Sequence, residues 1–143
     1  MKTTDTRRWL TALGLVAVLL LAGCSKAAEQ KHVIKEPVTI EKLDNGLGRL
    51  TLTEKAAERL GIETVVVEDV GGRRVIPSGA VIVGAEGGRY VYAKRGSLVF
   101  VREQIQVEHE DDGKAYLADG PAAGTPVVTI GAAELHGAET GIK

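Results

Sequence analysis

Beyond residue 70 the chain never runs far without a turn signal, and that spacing limits the folds open to it. Gly71-Gly72, Pro77-Ser78-Gly79, Gly87-Gly88, Lys94-Arg95-Gly96-Ser97, Asp111-Asp112-Gly113, Gly120-Pro121 and Gly124 cut it into short segments. Such segments suit strands better than helices. Arg73 to Ile76, Ala80 to Val83, Arg89 to Ala93, Leu98 to Arg102, Gln104 to Glu108, Lys114 to Leu117 and Val127 to Ile130 read as strands. Hairpins are expected to dominate, with Asp112-Gly113 as a two-residue turn.

Upstream, Val38-Thr39-Ile40 and Arg49 to Leu52 flank the turn residues Asp44-Asn45-Gly46. Thr53 is placed to cap a short helix over Glu54 to Leu60, and Gly61 stands where a left-handed C-cap is wanted. Ile62 to Glu68 is β-branched and reads as one more strand. Gly131 to Glu139 reads as a terminal helical turn that packs Leu135 on the sheet. The expected fold is mainly β: a small antiparallel barrel or roll with one short helix closing an end, preceded by a cleaved signal helix.

The amino terminus constrains location. Arg7 and Arg8 precede an apolar run from Trp9 to Ala22, which at about 14 residues suits a signal peptide and falls short of the roughly 20 needed to span a bilayer. Leu21-Ala22-Gly23-Cys24 resembles the bacterial lipobox, which implies cleavage between Gly23 and Cys24 and a diacylglycerol on the Cys24 thiol. Ordinary secretory export is expected, although Arg7-Arg8 has a twin-arginine look. The division expected is 1–23 signal peptide, 24–37 flexible tether and 38–143 β domain. The tether is small and charged, with Lys26, Glu29, Lys31, Lys35 and Glu36.

Cleavage takes Lys2, Arg7, Arg8 and Asp5 away, leaving 15 Lys and Arg against 18 Asp and Glu, a net charge of −3. That balance argues against nucleic acid as a partner. Cys24 is the only cysteine, so no disulfide within the chain can support the fold. The mature aromatics are Tyr90, Tyr92, Phe100 and Tyr116, too few for an aromatic-lined sugar or base site.

Val75-Ile76-Pro77-Ser78-Gly79-Ala80-Val81, Tyr90-Val91-Tyr92 and its hairpin to Val99-Phe100-Val101-Arg102, and Gly120 to Ala132 with its Val127-Val128 pair together resemble the membrane-proximal domain of periplasmic adaptor subunits. These are the membrane fusion proteins of tripartite efflux pumps. Leu50 to Thr64 is similar to the segment that opens the same domain. In that family a lipoyl-like domain, usually a helical hairpin, and a β-barrel domain separate the opening and closing segments. Here Val65 to Gly72 runs straight into Arg73-Arg74-Val75, so the resemblance implies a lone membrane-proximal domain with its halves joined by a short turn.

Chemistry-bearing residues are sparse. Glu108-His109-Glu110 are the only metal candidates worth naming, and they are expected to form a solvated acidic turn, since neighbouring strand residues point to opposite faces and no spaced His/Cys set accompanies them. His32 and His136 are expected to face solvent. Ser78 and Ser97 lack evident His-Asp partners, and Gly84 to Gly88 opens no helix that would cradle phosphate. No catalytic residue, cofactor or resident metal is expected.

The resemblance implies a non-enzymatic, lipid-anchored accessory protein in the bacterial envelope, facing the periplasm or exterior. Its partners would be the membrane through Cys24, and an inner-membrane transporter or a full-length adaptor. Pro77, Ser78, Arg89, Lys94 and Arg95 are the candidate contact residues, because loops on a rigid sheet carry recognition. The alternatives are a solitary ligand- or metal-binding envelope lipoprotein and a cell-wall-associated structural one. Ser25 after the cysteine supplies no acidic inner-membrane retention signal, which pulls against an inner-membrane partner.

Overall fold

The computed structural model describes residues 36–141. The expected signal peptide, the expected cleavage and lipidation residues Gly23 and Cys24, and His32 lie outside them. The described chain is mainly β, a nearly closed antiparallel barrel-like sheet with two helices.

Its strands are β1 (Val38–Lys42), β2 (Gly48–Leu52), β3 (Glu63–Val66), β4 (Glu68–Val70), β5 (Arg73–Pro77), β6 (Ile82–Val83), β7 (Arg89–Lys94), β8 (Val99–Asp111), β9 (Lys114–Asp119) and β10 (Pro126–Ile130). The helices are α1 (Glu54–Leu60) and α2 (Ala132–Thr140), with a 3-10 turn at Ser78–Ala80. The main path of hydrogen-bonded neighbours is β3-β10-β7-β8-β9-β5-β4, all antiparallel; β2 adds to β8 and carries β1, and β6 adds to β7.

Local chemistry accounts for most of these boundaries. Thr53 accepts a hydrogen bond from the Ala56 amide at 3.3 Å, and Gly61 ends α1 at φ 57°. Asp112 and Gly113 form the β8–β9 turn at φ 45° and 71°, the mirror-image geometry that matches strand twist. Three expectations change in detail. Leu98 to Arg102 and Gln104 to Glu108 belong to one thirteen-residue strand, β8. Register shifts between Gln106 and His109 re-aim it from β2 and β7 toward β9, as bulges do. The Ile62 to Glu68 strand is instead broken at Val67, which is buried and exchanges backbone hydrogen bonds with Thr125 and Gly124. The terminal helical turn is a full nine-residue helix.

Period-two alternation divides the apolar side chains between two clusters. From β7, Tyr92 enters one and Val91 the other; from β10, Val128 and Val127 separate in the same way. The first cluster sits under the helices and includes Leu50, Leu52, Phe100 and Leu135. The second fills the barrel interior with Val67, Ile76, Ile105, Leu117 and their neighbours. β7 is therefore buried from Tyr90 to Ala93 without a break, the signature of a strand covered on both faces.

Candidate functional site

The contact residues expected from sequence fall into two separate groups. Arg89 opens β7 and Lys94 closes it, a separation of about 17 Å at strand rise. Pro77 and Ser78 share the Arg89 end. The Ser78 amide bonds the Gly113 carbonyl at 2.8 Å, and Arg89 pairs with Glu110 at 3.2 Å on the strand that leads into that hairpin. At the other end Arg95 pairs with Glu103, its Nε 2.9 Å from Oε1, and Lys94 is half-buried.

The acidic turn is occupied by its own neighbours. His109 stacks on Tyr116 with ring centroids 4.3 Å apart and planes 9° from parallel. Glu108 faces Arg73 at 3.8 Å, and Glu110 faces Arg89. Among the described residues no three His, Cys, Asp or Glu side chains converge as metal ligands.

A polar cluster that sequence reasoning missed lies under α2. Tyr92, wholly buried, donates to Glu139 Oε2 at 2.6 Å. Its hydroxyl is also 3.4 Å from His136 Nδ1. Arg102, opposite Tyr92 on β8, brings Nε to 3.1 Å from Glu139 Oε1 without aligning the N–H for a hydrogen bond. Their side chains are only 13% and 9% exposed. The guanidinium carbon also lies 4.6 Å from the Tyr90 ring centroid, a cation–π contact. Tyr90 in turn donates to Glu86. His136, expected to face solvent, is half-buried here. It was legible only as part of the spacing Ala132, Leu135, His136, Glu139, which is one helix face at i, i+3, i+4 and i+7.

Backbone geometry makes room for this cluster. A Cβ on Gly48 would overlap the Glu139 side chain, so any other residue there would push Glu139 out of its place in this cluster. Burial pushes the Tyr92 hydroxyl well above its ordinary range, reinforced by the Glu139 hydrogen bond and charge and opposed by Arg102. The Tyr90 hydroxyl is raised first by its bond to Glu86, and that bond holds the Glu86 carboxyl below its usual value. Every acid in the cluster is engaged with a donor or a cation, which suits a clamp for α2.

Two clefts remain. One, of about 190 Å³, lies between β3 and β5 where the barrel does not close, with half-exposed Val65 and Val66 on one wall and Ile76 and Pro77 on the other. The larger, about 480 Å³, lies between α1, the Pro37-Val38 stretch and α2. The fold and these features define a small barrel-like β domain with helices on one outer face. Comparison with protein-family models, curated proteins and solved structures gives no match.

Proposed function

We propose that this protein is a lipid-anchored, adaptor-like accessory protein of an efflux or transport system, non-enzymatic and acting by protein–protein contact. One observation carries the reading. Val70 pairs with Arg73 across Gly71-Gly72, both glycines at positive φ (62° and 82°), so β4 and β5 join through a minimal turn. This is the position at which the family it resembles inserts its further domains. The opening segment, through β3, pairs directly with the closing strand β10, so one unit is made from two halves.

The lipobox at Leu21 to Cys24 supports an envelope anchor on the Cys24 thiol. A diacylglycerol brings two acyl chains, enough for stable anchoring where a single chain is marginal. The candidate contact surface is the two ends of β7, Arg89 at one and Lys94 and Arg95 at the other, close enough for one partner of ordinary interface size to cover both.

The test is site-specific photocrosslinking in cells, with a photoreactive residue at Arg95 in one strain and at Arg89 in another. An inner-membrane transporter or a full-length adaptor captured from at least one of the two positions is the expected outcome. Crosslinks to outer-membrane or cell-wall components alone overturn it in favour of an envelope-structural role.

A further inference from the structure

We infer that the groove between α1, the Pro37-Val38 stretch and α2 seats an acyl chain of an anionic phospholipid from the leaflet in which Cys24 is anchored. The inference rests on the lipid-anchor part of the reading above. The groove, at about 480 Å³, falls in the range of roughly 300–1,000 Å³ over which clefts enclose most of a small ligand. Its wall is hydrocarbon: Val38, Ala56, Leu60 and Ala138. All four belong to or pack on the cluster beneath the helices, so an alkyl chain here extends an existing apolar surface.

Charge selects the head group. Lys55 and Arg59 are exposed and line the same groove, against the single carboxylate of Glu134. Helical spacing explains the sorting: Lys55 and Arg59 are one turn apart and adjacent to Ala56 and Leu60, whereas Glu54 and Glu58 are one turn apart on the flank away from them. An alkyl chain in the groove would thus carry its phosphate toward two cations.

Position brings the lipid within reach. Pro37, which lines the groove, is thirteen residues from Cys24, at most about 45 Å of extended chain. The tether is a poor occupant itself, because Lys26, Lys31 and Lys35 outnumber Glu29 and Glu36 before the domain begins and would meet Lys55 and Arg59 with like charge. The same lysines favour an anionic leaflet.

The experiment takes the full-length protein purified from envelopes and places it in vesicles of phosphatidylglycerol carrying a diazirine on one acyl chain, and in parallel in phosphatidylcholine with the same probe. After photolysis, adducts are mapped by peptide mass spectrometry. Adducts on residues 54–60 and 132–140, several-fold more abundant with phosphatidylglycerol, are expected. Lys55→Gln and Arg59→Gln, both at exposed positions, should each lower the yield about fivefold, and Ala138→Leu should block the groove with both cations in place. Adducts confined to other peptides, or equal yields in the two lipids, overturn the inference. The mass of the Cys24 peptide in the same sample separates the two readings. Groove adducts with a bare Cys24 defeat the anchor alone, whereas a lipidated Cys24 without groove adducts defeats the groove alone.

Discussion

The two faces of the central strands are held by different chemistry. The inner face packs Val67, Ile76, Ala80, Val91, Ile105, Ala115, Leu117 and Val127, aliphatic throughout. Apart from Val67, between β3 and β4, and Ala80, in the 3-10 turn, these residues lie on strands already tied by backbone ladders, so close packing of small and branched side chains completes them. The outer face packs Leu50, Leu52, Tyr92, Phe100 and Leu135 beneath two helices. No ladder bonds a helix to a sheet. The outer face accordingly adds a directional device: the Tyr92–Glu139 hydrogen bond and the Arg102–Glu139 ion pair at the far end of α2. Side chains must supply there the registration that backbone pairing gives the inner face.

The sharpest way to break this contrast is Glu139→Ala. It leaves Arg102 buried without its counter-charge and Tyr92 without its acceptor, and loss of one partner of a buried pair costs about 3–5 kcal/mol. Chemical denaturation should show the loss, and hydrogen exchange should show α2 opening while β5 and β9 stay protected. If β5 and β9 lose protection equally, the two faces form one cooperative unit.

Tyr92→Phe is smaller, since it removes one hydrogen bond to a charged acceptor, about 1.5–3 kcal/mol. It also carries a pH signature. The folded protein holds the Tyr92 proton to higher pH than the unfolded chain does, so that share of stability is complete below pH about 10 and declines above it, at up to about 1.4 kcal/mol per pH unit. Tyr90, raised in the same direction, adds to the decline. Unfolding midpoints across the alkaline range should fall less steeply in Tyr92→Phe, and an unchanged slope would place the titration elsewhere.

Ile76→Val, on the inner face, is the smallest of the three. It removes one methylene from a side chain 1% exposed and should cost about 0.5–1.5 kcal/mol, with no pH dependence and no selective opening of α2. A selective effect on α2 would show that the faces communicate through β7.

Much of the fold was legible because its signals are local. Thr53 and Gly61 bracket α1, Asp112-Gly113 closes β8 on β9, and Asp44-Asn45-Gly46 lies between β1 and β2. Each depends on a few neighbouring dihedral angles. β8 was divided in sequence because nothing marks a strand that bends without a turn residue, and its bulges arise from serving β2 and β9 in succession. The break at Val67 was hidden for the same reason, since its backbone partners lie near residue 124. The candidate contacts read as loop residues in sequence, whereas Pro77, Arg89 and Lys94 are strand ends, and their division between opposite ends of β7 follows from strand pairing, which no single segment encodes.

The sequence by itself determined the short-strand alphabet, the caps and turns, and the apolar run from Trp9 to Ala22 ahead of Cys24, because these are written in contiguous residues and in intrinsic backbone preferences. Only the tertiary structure decided which strands are neighbours, where the barrel stays open, and that Gly48, Tyr92, Arg102 and Glu139 meet. Those residues come from four elements, β2, β7, β8 and α2, and they come together only when the sheet closes. Their energies depend on a burial that exists nowhere in the extended chain.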